Sequence, residues 1–311
     1  MIRLDLRQQI PDALRGAILA LGNFDGFHLG HQAVVGEAVA WARAEGRPAI
    51  VATFDPHPVR FFRPDAEPFR LTTLDQRQEL FAAAGADAML VIHFDEGVAS
   101  MSASQWVCDM IHGHLGAVGL VTGEDFVFGK GRSGNAAGLR ELGEPYGIAA
   151  RAVPAVFDAQ GAISSSRIRD ALKAGDCAEA ARLMTRPYSI RGIVQHGDKL
   201  GRTIGFPTAN LSLGSYLRPR YGVYAVTTRL GDGRVVGGAA NLGVRPQFDP
   251  PKELLEPYFF DFSGNLYGAE IDVALRHFLR PEAKFDGLDS LTAQIARDCD
   301  EARRLLGTVT A

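Results

Sequence analysis

The sequence predicts two domains of different class: an α/β domain built on a parallel sheet over residues 1–185, then a small antiparallel β-barrel with a closing helix over residues 186–311. Three observations predict it. Short, wholly apolar runs alternate with helix-like stretches through the first half, the pattern of parallel strands covered on both faces. After Thr185-Arg186-Pro187 the alternation stops and strand signals follow one another. A chain of 311 residues is also longer than one hydrophobic core usually serves.

Taken in order, Ala17-Ile18-Leu19-Ala20-Leu21 is an apolar run of strand length, and residues 32–44 are alanine-rich with no breaker except Gly36, which predicts a helix. Further strands are predicted at Ala49-Ile50-Val51-Ala52-Thr53-Phe54, at Ala88-Met89-Leu90-Val91-Ile92 and at Val118-Gly119-Leu120-Val121, with a helix over 74–84 among them. A helix over 178–184 precedes the boundary. Beyond it, strands are predicted over 188–194, 223–228, 235–240 and 256–262, with Gly231-Asp232-Gly233 as a hairpin turn. From Leu288 a helix places Leu291, Ile295, Ala302 and Leu306 at helical spacing, suited to lie across the barrel. The change of texture predicts separable halves, so that a fragment from about Arg186 onward folds alone.

Composition narrows the function classes. Hydrophobic residues make up 46% and charged residues 22%, and the net charge of −3 gives no basic field for a nucleic-acid partner. No membrane partner is expected: no run of about eighteen apolar residues occurs, and Met1-Ile2-Arg3-Leu4-Asp5-Leu6-Arg7 lacks a signal peptide's apolar core. The expected location is cytoplasmic. Cys108, Cys177 and Cys299 are far apart and odd in number, which suggests neither a disulfide framework nor a zinc cluster. Composition leaves homo-oligomerisation open.

The stretch Leu21-Gly22-Asn23-Phe24-Asp25-Gly26-Phe27-His28-Leu29-Gly30-His31 falls where the first apolar strand becomes a helix. His28 and His31 flank the helix N-terminus, where unpaired backbone N–H groups and the helix dipole favour an anion and imidazole donors add to the effect. The glycines let a polyphosphate approach the backbone. Two plainer readings are helix capping and half of a metal site; the second lacks a carboxylate or cysteine at ligand spacing. Phe54-Asp55-Pro56-His57-Pro58 and Gly123-Glu124-Asp125-Phe126-Val127-Phe128-Gly129 both end strands, where ligands of parallel sheets bind. Prolines that merely stop a strand account equally well for His57.

Ile163-Ser164-Ser165-Ser166-Arg167-Ile168-Arg169 sets hydroxyls and a guanidinium at a helix start. A single serine is explained as a cap. Ser164, Ser165, Ser166 and Arg167 together go beyond a cap and supply donors suited to phosphate groups. Gly129-Lys130-Gly131-Arg132-Ser133-Gly134 spells a dinucleotide pattern but does not follow the first strand, and reads as a basic loop. In the second half, Gly201-Arg202-Thr203-Ile204-Gly205-Phe206-Pro207-Thr208-Ala209-Asn210 sets Thr208 and Asn210 two apart, on one side of an extended chain. Their neutral oxygens suit a Mg²⁺ that keeps most of its ligands as water and phosphate. Turn chemistry after Pro207 is the plainer reading of Asn210.

On these residues the chain resembles the bacterial bifunctional riboflavin kinase/FMN adenylyltransferase family. His28-Leu29-Gly30-His31 resembles the H-x-G-H signature of nucleotidyltransferases, the fuller Gly-Asn-Phe-Asp-Gly-Phe-His its FAD synthetase branch, and the run from Gly201 to Asn210 the riboflavin kinase signature. The likeness continues through Leu266-Tyr267-Gly268 and Leu279-Arg280-Pro281-Glu282-Ala283-Lys284-Phe285, and spans nearly the whole chain. It implies a Rossmann-like nucleotidyltransferase domain that adenylylates FMN with ATP to give FAD and pyrophosphate, and a kinase domain that phosphorylates riboflavin to FMN with ATP and Mg²⁺. It implies nucleotide or flavin contacts at Gly22, Asn23, Phe24, Asp25, His57, Asp125, Ser164, Ser165, Ser166, Arg167, Gly201, Gly205, Phe206, Pro207 and Arg245. Catalytic positions fall on His28, His31 and Glu256, and metal ligands on Thr208 and Asn210.

Glu256, in Glu256-Pro257-Tyr258-Phe259-Phe260-Asp261-Phe262, matches the carboxylate that accepts the ribityl hydroxyl proton, and Glu253 is its competitor. The family pattern Ile-Ser-Ser-Thr-x-Ile-Arg is met with Ser166 in place of threonine. Other departures are Asp125 where asparagine is frequent, Gln247 in place of threonine and Asn265 in place of aspartate; an acid at 125 is unfavourable beside a polyphosphate unless a cation such as Arg132 or a metal pairs with it. Two rival readings are a flavin-nucleotide binding or regulatory protein that has lost activity, and a nucleotidyltransferase for a different acceptor.

Overall fold

The structure, a computed structural model, describes residues 1–196, 205–245 and 252–307. The chain forms two compact units, Met1–Glu67 with Thr72–Ser164, and Pro68–Leu71 with Ser165–Ala311.

The first unit is built on the parallel strands β1 (Ile2–Asp5), β2 (Ile18–Leu21), β3 (Ala49–Asp55), β4 (Ala88–His93) and β5 (Gly119–Gly123), followed by a hairpin of β6 (Val127–Phe128) and β7 (Gly134–Asn135) and then by β8 (Ala149–Val153). The parallel sheet runs β1-β4-β3-β2-β5-β8. Its helices are α1 (Leu29–Glu45), α2 (Pro58–Phe62), α3 (Leu74–Ala83), α4 (Glu96–Ser100), α5 (Ala103–Gln105), which continues as a π-wound turn to Leu115, and α6 (Ala136–Gly143). Both faces of the sheet are covered, which explains why the strands read as unbroken apolar runs. Ile18 and Ala20 join Val35, Val39 and Trp41 in one layer, while Leu19 and Leu21 join Trp106, Met110 and Phe128 in the other. α1 ends at Gly46, whose φ of 64° makes the left-handed cap that favours glycine. A hairpin of β9 (Phe157–Asp158) and β10 (Gly161–Ala162) closes the unit.

The second unit opens with α7 (Ser165–Ala174) and α8 (Cys177–Met184) and continues with β11 (Tyr188–Ile193), β12 (Leu211–Ser212), β13 (Gly222–Arg229), β14 (Val235–Arg245), β15 (Lys252–Phe259) and β16 (Glu270–Arg280). The strands pair antiparallel in the order β11-β16-β13-β14-β15-β12, and a bridge between Gln195 and Asn210 joins the two ends into a nearly closed barrel. Ile190, Leu211, Leu242, Leu255 and Val273 are fully buried. The C-terminal helix (Leu288–Leu306) packs Cys299 and Ala302 against Ala225, Ala239 and Phe260, and Arg280 of β16 pins it through Asp298 at 2.7 Å. The short segment Pro68–Leu71 joins this unit too, with Leu217 N donating to Arg70 O at 2.8 Å.

Two strands depart from the sequence reading. β15 begins at Lys252 and stops at Phe259, rather than spanning 256–262, because Asp261 turns the chain with a left-handed φ of 54°. β16 is a long strand that the reading omitted, although Ile271, Val273 and Leu275 alternate inward with Asp272 and Ala274. The compact second unit also reaches back to Ser165: Arg220 N donates to Leu172 O at 3.0 Å, and Leu183 and Met184 are buried.

Candidate active sites

In the first unit, α1 begins at Leu29 with His28 as its cap. His28 Nδ1 accepts from Gly30 N at 3.1 Å and from His31 N at 3.4 Å, which leaves the ring proton of the neutral imidazole on Nε2. The capping reading and the phosphate reading therefore coexist in one side chain. His31 stacks on His28 with ring centroids 3.7 Å apart and meets Phe24 edge-on at 5.3 Å. A side chain at Gly30 would sit 3.1 Å from the His28 ring and 3.6 Å from Ile163 O. The Ile-Ser-Ser segment thus reaches the helix start at Ile163. Phe24 and Phe27 hold left-handed φ values of 49° and 41°, a conformation bulky residues rarely adopt, and both rings are buried against Phe81.

What holds that loop is a buried cluster that the sequence reading did not contain. Arg77 of α3 is 1% exposed. Its guanidinium donates to Asn23 O at 3.3 Å, Thr53 Oγ1 at 2.9 Å, Thr72 Oγ1 at 3.3 Å and Thr72 O at 3.3 Å, and lies 3.7 Å from the Asp25 carboxylate. Asp25, 2% exposed, also accepts from Thr72 N at 2.9 Å, while Gly26 N donates to Thr72 Oγ1 at 3.0 Å. A buried cation with several oxygen partners fixes the loop between β2 and α1. Asp25 is thereby placed as a loop anchor. A signal existed: Leu74, Arg77 and Phe81 share one helix face, so an arginine stands on the apolar side of an otherwise polar helix.

The remaining candidates of the first half are dispersed. His57 caps α2, its Nδ1 accepting from Val59 N at 3.2 Å. Asp125 is exposed just beyond β5 and forms no ion pair with Arg132 among the described residues. The Gly129–Gly134 stretch connects β6 to β7, a hairpin and not a dinucleotide turn. Ser164 precedes α7, and Ser165 and Ser166 open it. Arg167 forms an ion pair with Glu179 at 2.6 Å, and Glu179 also takes Arg182 at 2.7 Å. In the Ile-Ser-Ser-Thr-x-Ile-Arg pattern the arginine place belongs to Arg169, whose Nε donates to Phe69 O at 2.9 Å.

In the second unit, register assembles the candidates. β12 pairs with β15 so that Leu211 faces Leu255, and Ala209 N donates to Pro257 O at 2.9 Å along the same ladder. Asn210 therefore stands opposite Glu256, and Thr208 two residues away shares its face. On the other side β14 sets Asn241 opposite Glu256. Asn210 is buried, and Glu256 is only 17% exposed at its side chain. Arg245 contacts Glu256 Oε2 through a charge contact rather than an aligned hydrogen bond, and lies 3.8 Å from Glu282, which accepts from Asn241 at 3.4 Å. Glu253 sits an odd number of residues away, on the opposite face. Arg218 donates to it at 2.7 Å and Tyr221 also bonds it; the Arg218 bond foremost holds its carboxyl below the ordinary value, against burial.

Beside this ladder lies a cavity of about 410 Å³ whose walls include Pro207, Thr208, Pro257, Asn265 and Tyr267. Asn265 turns its own loop, accepting from Tyr267 N at 3.0 Å, and Tyr267 stacks on His196 at 4.0 Å. Phe206 meets Tyr258 edge-on at 5.3 Å, and Gly205 has a left-handed φ of 87°. Gly201 and Gln247 lie outside the described residues. No group of three or more His, Cys, Asp or Glu side chains is arranged to hold a metal among the described residues, so an ion at Thr208 and Asn210 would draw on neutral oxygens and on phosphate.

The pattern of the FAD synthetase family matches residues 10–167, and that of riboflavin kinase matches residues 184–306. A bifunctional riboflavin kinase/FMN adenylyltransferase of Escherichia coli (strain K12) is 40% identical over 293 residues, covering 94% of this chain and 93% of that protein. Its counterpart in Bacillus subtilis (strain 168) is 40% identical over 294 residues, with 93% and 92% covered. Among solved structures, one described as a macrolide-efflux protein from Streptococcus pneumoniae superposes with a TM-score of 0.86 at 30% identity, covering 98% of this chain and 99% of that one. Among the described residues of the present chain, no helix is long and apolar enough to cross a membrane.

Proposed function

The chain belongs to the bifunctional riboflavin kinase/FMN adenylyltransferase family, and we propose that Glu256 serves its kinase reaction while the His28 and His31 loop serves its adenylyl transfer. The protein phosphorylates riboflavin to FMN and adenylylates FMN to FAD, using ATP twice. On this reading residues 1–185 carry adenylyl transfer and residues 186–311 carry the kinase, and both work in the cytoplasm without a nucleic-acid or membrane partner.

In the kinase reaction the terminal ribityl oxygen of riboflavin bonds to the γ-phosphorus of ATP as the bond to ADP breaks. The hydroxyl proton goes to the Glu256 carboxylate. The observation that carries this role is the ladder register placing Asn210 directly opposite Glu256, because the base and a metal-binding oxygen then face one space. Thr208 and Asn210 would hold Mg²⁺, which supplies charge neutralisation to the ATP phosphates when bound. Arg245 fixes the Glu256 carboxylate, and Glu253 is already committed to Arg218 and Tyr221 on the other face.

Adenylyl transfer asks less of acid-base chemistry, since the FMN phosphate that attacks the α-phosphorus is already an anion. Positioning and charge are what it needs. The N-terminus of α1, the His28 and His31 rings and Ser164 supply donors for the leaving pyrophosphate, and Arg77 keeps the loop in shape. Incubation with riboflavin and MgATP, followed by chromatography of the flavins, tests the reading. FMN and then FAD are expected; bound but unaltered riboflavin would favour a binding or regulatory protein instead.

A further inference from the structure

Two oxygen atoms of the first unit are left over by the machinery described so far. Thr122, next to last in β5, is 1% exposed, and its Oγ1 is buried without a hydrogen-bond partner. Asn23 Oδ1, just past β2, is buried without one as well. Buried side-chain oxygens are nearly always paired, because the water lost on burial must be replaced.

Both atoms belong to one place in the sheet. β2 and β5 are neighbours with Ala20 opposite Val121, so the next step brings Leu21 beside Thr122, and Asn23 follows just beyond the end of β2. Leu19, Leu21 and Leu120 share the core layer that Thr122 extends. From β2 the chain crosses through α1 to β3 on one side, while β5 pairs with β8 on the other, so this is where the strand order reverses, the position at which open parallel sheets bind their ligands. Neighbouring polar groups are spoken for: Thr53 Oγ1 donates to Asn23 O at 2.8 Å and accepts from Arg77 at 2.9 Å.

Asn23 Oδ1 can only accept, whereas the Thr122 hydroxyl can donate and accept. Side by side they fit a planar ring edge that carries an N–H next to a ring nitrogen or carbonyl. Adenine has such an edge in its aminopyrimidine, and the flavin in its pyrimidinedione. We infer that Thr122, together with Asn23, is a specificity-determining residue of the adenylyl-transfer site that reads the hydrogen-bonding edge of a bound heterocycle. The inference rests on the assignment of FMN adenylylation to this unit.

The test compares Thr122→Val and Thr122→Ser with the unaltered full chain, measuring thermal unfolding, riboflavin phosphorylation, and KM and kcat for ATP and for FMN in FAD synthesis. Valine keeps the shape and removes an unpaired hydroxyl, so the unfolding temperature is expected to stay level or rise. The KM for one substrate is expected to rise about 5- to 150-fold with kcat retained, serine restoring it. A rise for ATP identifies the adenine edge, and a rise for FMN the flavin edge. Unchanged KM values overturn the inference, as does a Thr122→Val protein that melts lower and loses activity without rescue by serine. Unaltered protein that makes no FAD from FMN removes the assignment beneath it, and the same chromatograms show that case separately.

Discussion

Arg77→Met isolates the buried cluster that shapes the phosphate loop. Methionine approximates the length and volume of the arginine stem but removes the guanidinium, together with its bonds to Asn23 O, Thr53 Oγ1 and Thr72 and its 3.7 Å approach to Asp25. Asp25 is 2% exposed, so its carboxylate stays buried with the Thr72 donors but without its cation. Removing one member of a buried ion pair costs about 3–5 kcal/mol. At roughly 2–4 °C per kcal/mol for a domain of this size, the first unit should melt about 6–20 °C lower. Calorimetry on the full chain reads that shift, and parallel flavin chromatography should show FAD synthesis falling while riboflavin phosphorylation persists. Adding Asp25→Asn should recover part of the loss, because the stranded charge is then gone. An Arg77→Met protein that keeps both its melting temperature and its FAD synthesis would refute the reasoning.

Other consequences are equally open to measurement. Asn210→Ala should raise the Mg²⁺ concentration needed for half-maximal riboflavin phosphorylation and leave FAD synthesis from supplied FMN intact; an unchanged Mg²⁺ titration would remove Asn210 from the metal site. Because Arg218 holds the folded-state pKa of Glu253 below the ordinary 4.5, that stabilisation is present above pH 4.5 and drains away as pH falls from there through the lower folded value. Urea unfolding of the barrel between pH 7 and 3 should show this loss, and Glu253→Gln should flatten it. A fragment of residues 165–311 should unfold at a higher temperature than one of 186–311, since the shorter piece discards Cys177, Ala180, Leu183 and Met184 from its core. Equal stability of the two fragments would place the boundary where the sequence texture changes.

Much of this architecture is legible in the residues. Apolar runs bounded by helix-like stretches marked β2, β3, β4 and β5 because burial on both faces leaves little room for polar residues in them, Thr53 and Thr122 being the buried exceptions. β16 was harder to see, since its arginines and His277 interrupt the alternation after Leu275, and β8 is a largely exposed edge strand of alanines around Arg151. The helix start at His28 and His31 was legible from the apolar run before them and the alanine-rich stretch after them. Arg77 could not be tied to that loop from the sequence, because more than 50 residues separate it from Asn23 and only the packing of α3 brings them together. Likewise only the family resemblance favoured Glu256 over Glu253 in the sequence, and register separates them physically. Leu254 and Leu255 are both buried, so the apolar pattern does not say which glutamate faces inward; the pairing of β14, β15 and β12 does.

The central claim is that one chain holds two chemically independent sites, and a crossed pair of variants tests it most directly. Glu256→Gln keeps size and hydrogen bonding but cannot accept a proton at neutral pH, so FMN formation should fall by about two to four orders of magnitude. The same protein should convert supplied FMN to FAD at the unaltered rate. The double variant His28→Ala with His31→Ala should do the reverse, accumulating FMN while FAD synthesis drops by roughly 10²-fold or more for each donor lost. Mixed together, the two proteins should carry riboflavin through to FAD. The account is contradicted if either variant loses both reactions while remaining folded, or if Glu256→Gln phosphorylates riboflavin as the unaltered chain does.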